Sequence, residues 1–161
     1  VLDGGSYYYG VYETSDGKFV SIGSIEGKFH DELLELTGFT DAPTEDRNVQ
    51  ESWDEKKARL GEIIKSKSRD QWDEIMAGSD VCYAPVLDLS EAPRHPHNVA
   101  RGSFVEVDGV IQPGPTPRFS RTPGEVQMPP PAPGQHTMEV LTDWGFSSED
   151  VEKLKDVGAV T

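Results

Sequence analysis

The chain has 161 residues, with 15 Lys plus Arg against 29 Asp plus Glu and a formal net charge of -14. That balance argues against nucleic acid or an anionic membrane as partner, because no basic stripe is available to release counterions. Hydrophobic residues make up 35% of the chain and most of its 12 Pro lie in the second half, so a modest core and much irregular backbone are expected.

Residues Val11 to Thr14 and Lys18 to Ile25 alternate apolar and polar side chains around Ser15-Asp16-Gly17, which predicts a β-hairpin closed by Asp-Gly. Phe29, Leu33, Leu34 and Leu36 then recur at helical spacing and stop at Gly38. A second helical face runs from about Val49 to Ile64 through Trp53, Leu60, Ile63 and Ile64. Ser68-Arg69-Asp70-Gln71 has the form of a capping box opening a third helix with Trp72, Ile75 and Met76. Val81 to Leu87 reads as a buried strand, with Cys82 as a small buried hydrophobe within it.

From Glu91 onward, prolines from Pro93 to Pro133 block regular elements. Within that stretch Phe104 to Ile111 reads as a short hairpin about Asp108-Gly109. Thr137 to Trp144 and Ser147 to Val157 read as two helices joined at Gly145, the second opened by Ser147 with Asp150. The expected fold class is therefore α+β. Residues 1–92 form a small hairpin-plus-helices domain, 93–135 a Pro-rich extended belt with one hairpin, and 136–161 a C-terminal helical pair. A belt of this length needs a surface to lie on, either a further domain or a partner subunit. The chain opens at Val1 without Met, from which we expect it to begin partway through a longer protein. The single cysteine excludes an internal disulfide and fits a reducing, cytoplasmic setting. No segment is long and apolar enough to be a membrane span.

Seven segments carry a family resemblance in order and spacing. They are Leu2-Asp3-Gly4-Gly5 before an aromatic run; Tyr12-Glu13-Thr14 with Asp16-Gly17-Lys18; Gly23-Ser24-Ile25-Glu26; Ser79-Asp80-Val81-Cys82 running into Pro85-Val86-Leu87; His97-Asn98 before Arg101-Gly102-Ser103-Phe104; Arg118-Phe119-Ser120-Arg121-Thr122; and Gly134-Gln135-His136-Thr137 leading to Gly145-Phe146-Ser147. Together they resemble the α-methylacyl-CoA racemases, within the family III CoA transferase (CaiB-BaiF) fold group. The resemblance implies a two-domain subunit whose large domain holds coenzyme A, and a homodimer of interlocked subunits. It implies an isomerase of fatty acid and lipid metabolism that exchanges the α-proton of a 2-methylacyl-CoA thioester through an enolate. A His and an Asp of the large domain would do this with no metal or organic cofactor, coenzyme A being part of the substrate. Neither residue has a match in this chain, so the isolated fragment is expected to be inactive. Its acidic surface repels a phosphate-rich ligand, and any coenzyme A pocket must draw Lys and Arg from elsewhere.

Removing a proton beside a thioester requires a base on one face, an acid on the other and donors for the enolate oxygen. By the resemblance, Glu26 is the acid that supports the proton-transfer His, and Tyr9 and Ile25 bind substrate near the acyl group. From the residues alone, Glu26 reads more readily as an acid placed to favour a helix N-terminus. Tyr7, Tyr8 and Tyr12 suit strand packing better than an acyl channel. Asp3-Gly4-Gly5 reads as a turn, because no Lys or helix pattern follows to cradle phosphate. Cys82 and the four histidines lack the spacing of a metal site or a Cys-His nucleophile. Two other functions stay open at this point: a CoA transferase of the same fold, in which a large-domain Asp forms a mixed anhydride, and a non-catalytic interaction module.

Overall fold

The computed structural model describes all residues, Val1–Thr161. It divides into two compact units, Val1–Leu89 and Ser90–Thr161. In the first unit, strands β1 (Tyr9–Glu13), β2 (Phe19–Gly23) and β3 (Tyr83–Val86) form an antiparallel sheet in the order β1-β2-β3. Tyr9 lies opposite Gly23 and Glu13 opposite Phe19, so the hairpin predicted at Asp16-Gly17 is present. Its turn places Gly17 at φ 72°, a conformation that costs residues with a Cβ but not glycine. Alternation along the strands puts Tyr12, Val20 and Ile22 on the buried face, and leaves Val11 and Phe19 exposed.

Three helices cover that face: α1 (Gly27–Thr37), α2 (Trp53–Ile64) and α3 (Arg69–Met76). Helix α1 closes at Gly38, whose amide bonds back to the Glu35 carbonyl. Helix α2 begins later than the pattern from Val49 predicts, because Gln50–Ser52 coil first into a 3-10 turn. Helix α3 carries the full capping box. The Ser68 hydroxyl accepts the Gln71 amide at 3.3 Å, and the Gln71 side chain accepts the Ser68 amide at 2.9 Å. Leu33, Leu60, Ile64, Trp72 and Met76 join the sheet residues and Tyr7 and Tyr8 in one core. Trp72 is fully buried and its indole nitrogen donates to the Ile64 carbonyl at 2.6 Å, which fastens α3 to the end of α2.

Two expectations fail here. The strand after Ser79 is confined to Tyr83–Val86 and is only half covered, since β3 pairs with β2 alone and forms a sheet edge. Cys82 lies ahead of that strand, exposed and at φ 55°. The Gly23 amide donates to the Cys82 carbonyl at 2.9 Å, and the positive φ turns the Cys82 side chain out of the strand pattern.

The second unit begins with a 3-10 turn, Ala92–Arg94, and a five-residue helix α4 (Pro96–Ala100) that the prolines hid. Pro96 takes the first helical position, where a missing N–H costs nothing. Strands β4 (Phe104–Val107) and β5 (Val110–Pro113) form the second hairpin about Asp108 and Gly109, both at positive φ. Helices α5 (Thr137–Asp143) and α6 (Ser148–Asp156) follow, with the Ser147 hydroxyl accepting the Asp150 amide at 3.2 Å. Val151 is the one buried residue of this unit. Phe119, Met128, Trp144 and Val157 are all more than half exposed.

Candidate functional site

The Gly23-Ser24-Ile25-Glu26 segment leaves the centre of the first sheet and enters α1. Ser24 is fully buried and held twice: its amide donates to the Tyr8 carbonyl at 2.9 Å and its hydroxyl to the Val81 carbonyl at 2.5 Å. The Ile25 amide then donates to the Gly23 carbonyl at 2.9 Å, a three-residue turn that reverses the chain. Ile25 is left half-buried and Glu26 exposed at the N-cap of α1. Glu26 has extended backbone (φ -73°, ψ 145°), and its side chain makes no capping hydrogen bond. Its carbonyl accepts the His30 amide at 2.9 Å. The backbone of Glu26 thus starts the helix without a capping bond from its carboxylate.

Tyr9 packs over Gly23. A Cβ added at Gly23 would stand 3.8 Å from the Tyr9 ring and 3.7 Å from the Cys82 carbonyl oxygen. Tyr9, Gly10, Gly23, Lys57, Cys82 and Tyr83 line an open surface hollow of about 570 Å³. Lys57 reaches across it to the Gly4 carbonyl. Of the three expected site residues, the structure places Tyr9 in the hollow, while Ile25 and Glu26 follow just beyond Gly23 and do not line it. Tyr7, Tyr8 and Tyr12 are buried in the core and cannot wall an acyl channel.

Slight desolvation, then the nearby Glu26 and Asp80, push the Cys82 thiol up from its ordinary value although the residue is largely exposed. It therefore stays protonated at neutral pH, and exposure does not make it a nucleophile. No group of three or more His, Cys, Asp or Glu side chains could hold a metal ion. The residue that sequence reasoning missed is His30, fully buried one turn into α1. Its signal was a position in register with Leu33 and Leu34 on the apolar face. Asp3-Gly4-Gly5 is a turn as expected, with the Gly5 amide bonded to the Asp3 carboxylate at 3.1 Å.

The mixed helix-and-strand fold agrees with the comparisons. Residues 2–137 match CoA-transferase family III, and the chain belongs to that family. Among known proteins it is 37% identical over 157 residues to the α-methylacyl-CoA racemase of Mus musculus and 33% identical over 156 residues to that of Homo sapiens. Each alignment covers 96% of this chain and 41% of the relative, so the chain spans about two-fifths of the length of the curated relatives it matches. A crystal structure of a CAIB/BAIF family protein from Brucella suis superposes with a TM-score of 0.68 at 20% identity, over 88% of this chain and 39% of the other. No helix is long and apolar enough to cross a membrane.

Proposed function

We propose that this chain supplies the supporting part of the active site of a 2-methylacyl-CoA racemase, and that the proton-transferring His and Asp are contributed by a domain it does not contain. The observation that carries this reading is the Ile25-Glu26 turn. In a chain 37% identical to a racemase, Glu26 stands on a rigid turn with its carboxylate free of the helix end it opens.

In this account the base removes the α-proton from one face of the thioester, the electron pair passes to the thioester oxygen as an enolate, and an acid returns a proton to the opposite face. Glu26 lies against the His, fixes its tautomer and favours its protonated form. Tyr9 and Ile25 bound the acyl group. The chemistry needs no metal or organic cofactor, and coenzyme A enters with the substrate. The subunits form an interlocked homodimer in the cytoplasm, the isolated fragment is inactive, and the enzyme serves fatty acid metabolism.

The second unit supports the idea of further protein around it. With Val151 alone buried, it holds too little apolar surface to offset the entropy of ordering its 72 residues, Ser90–Thr161. A large domain or partner subunit would cover Trp144 and its neighbours.

The family match also includes CoA transferases by name, which keeps acyl transfer as the second reading. The test is to incubate the longer protein that this reading requires with a single epimer of a 2-methylacyl-CoA in deuterated water. Racemisation with deuterium at the α-carbon is expected. Transfer of coenzyme A to an added carboxylic acid without α-exchange would replace the racemase reading with the transferase one.

A further inference from the structure

His30 is 0% exposed, and both of its ring nitrogens are engaged. Nε2 lies 2.6 Å from the Tyr7 hydroxyl and Nδ1 lies 2.9 Å from the Thr44 hydroxyl. The ring meets Tyr7 and Tyr8 edge-on, with centroids 5.5 and 5.7 Å away. Three stretches of chain converge on it: the turn before β1, the first turn of α1, and the 3-10 turn at Thr44–Asp46.

The protons in this cluster can be assigned. Thr44 has one hydroxyl proton and donates it to the Asp31 carboxylate. Its oxygen must therefore accept from His30, which places the imidazole proton on Nδ1. Nε2 is then a bare acceptor, and the Tyr7 hydroxyl donates to it. Burial, then the neighbouring Tyr8, push the Tyr7 pKa far above its ordinary value, so that hydroxyl keeps its proton. A neutral imidazole satisfies every partner. A second proton, on Nε2, would face the Tyr7 O–H head-on, and the hydroxyl would have to swing away and lose its acceptor in a buried site.

We propose that His30 is a pH-responsive latch: neutral and protonated on Nδ1, it ties the first turn of α1 to Tyr7 and Thr44, and protonation at Nε2 loosens the segment that presents Ile25 and Glu26. The groups facing it from each element are Tyr7 and Tyr8 before β1, Asp31 on α1, Arg47 at the end of the 3-10 turn, and Lys56 on α2, while Asp46 acts on Tyr7. Burial opposes the imidazolium most, Asp31 favours it, and Arg47 and Lys56 oppose it, so the His30 pKa lies below its ordinary value of 6.5. The sign follows. The unfolded chain takes up a proton near pH 6.5 while the folded one does not, so the latch is at full strength above that pH and weakens as pH falls below it. The inference concerns the first unit and does not rest on the racemase reading.

The test is nitrogen-15 NMR of the 161-residue chain from about pH 8 to about pH 5, together with amide exchange. The His30 proton should sit on Nδ1, and its titration should fall below its ordinary value of 6.5. Protection of the amides of residues 30–33 should drop in step, by up to about tenfold per pH unit. In Tyr7→Phe, the donor to Nε2 is gone and the titration should move to higher pH. If that variant does not fold, the tautomer and titration of the parent chain still decide. A proton on Nε2, titration at or above the ordinary value of 6.5, or an unchanged α1 across the range would overturn the proposal.

Discussion

The Ser24 hydroxyl donates to the Val81 carbonyl at 2.5 Å, fastening the end of β2 to the residue two places before β3. Both residues are buried, and the bond holds the point from which Ile25 and Glu26 depart. Ser24→Ala removes the donor and leaves the carbonyl to face an apolar methyl. We expect a loss of about 1–3 kcal/mol, read from denaturant unfolding of the chain. An unchanged midpoint would mean that the turn is held by its backbone bonds alone.

The capping box at α3 yields a second expectation. Ser68→Ala frees the Gln71 amide and should cost about 0.5–2 kcal/mol, while Ser68→Asp, also a good N-cap, should restore most of it. If Ala and Asp behave alike, the helix is held by Trp72 and the core instead of its cap.

These devices were legible because they are local. Asp16-Gly17, Ser68 with Gln71, and Asp108-Gly109 each define a turn or cap within four residues, and each occurs where the pattern puts it. The features that escaped depend on distant partners. Cys82 was expected inside a strand, but the Gly23 amide, 59 places back in sequence, takes its carbonyl and the residue adopts φ 55°. Pro96 was read as a breaker, although the same ring is suited to the first position of α4. His30 gave one weak sign, a polar residue on an apolar stripe, and its role became visible only when Tyr7 and Thr44 were brought to its two nitrogens. For the candidate site, the motif located Ile25 and Glu26, and the structure added the absence of a cap bond.

The thin core of Ser90–Thr161 predicts its behaviour in isolation. In hydrogen-deuterium exchange of the chain, amides of residues 93–135 should exchange early while α2, α3 and the central strand β2 stay protected. Alternatively the chain should self-associate through its exposed apolar residues, detectable by sedimentation. A strictly monomeric species with uniform protection across both units would contradict this, and with it the claim that further protein covers the second unit.

The central claim is that the Glu26 carboxylate serves the reaction and not the helix. Glu26→Gln keeps size and hydrogen-bonding capacity while removing the charge that would favour an imidazolium. The direct measurement is α-proton exchange of a 2-methylacyl-CoA by the longer protein, made alongside thermal unfolding of the same variant. Because the side chain makes no capping bond to α1, stability should hold. Exchange should fall by roughly 10- to 100-fold, by analogy with the loss of a carboxylate partner of a metal-bound His. The opposite pattern, full exchange with a loss of about 0.3–1 kcal/mol in stability, would make Glu26 a helix-end charge and contradict the account.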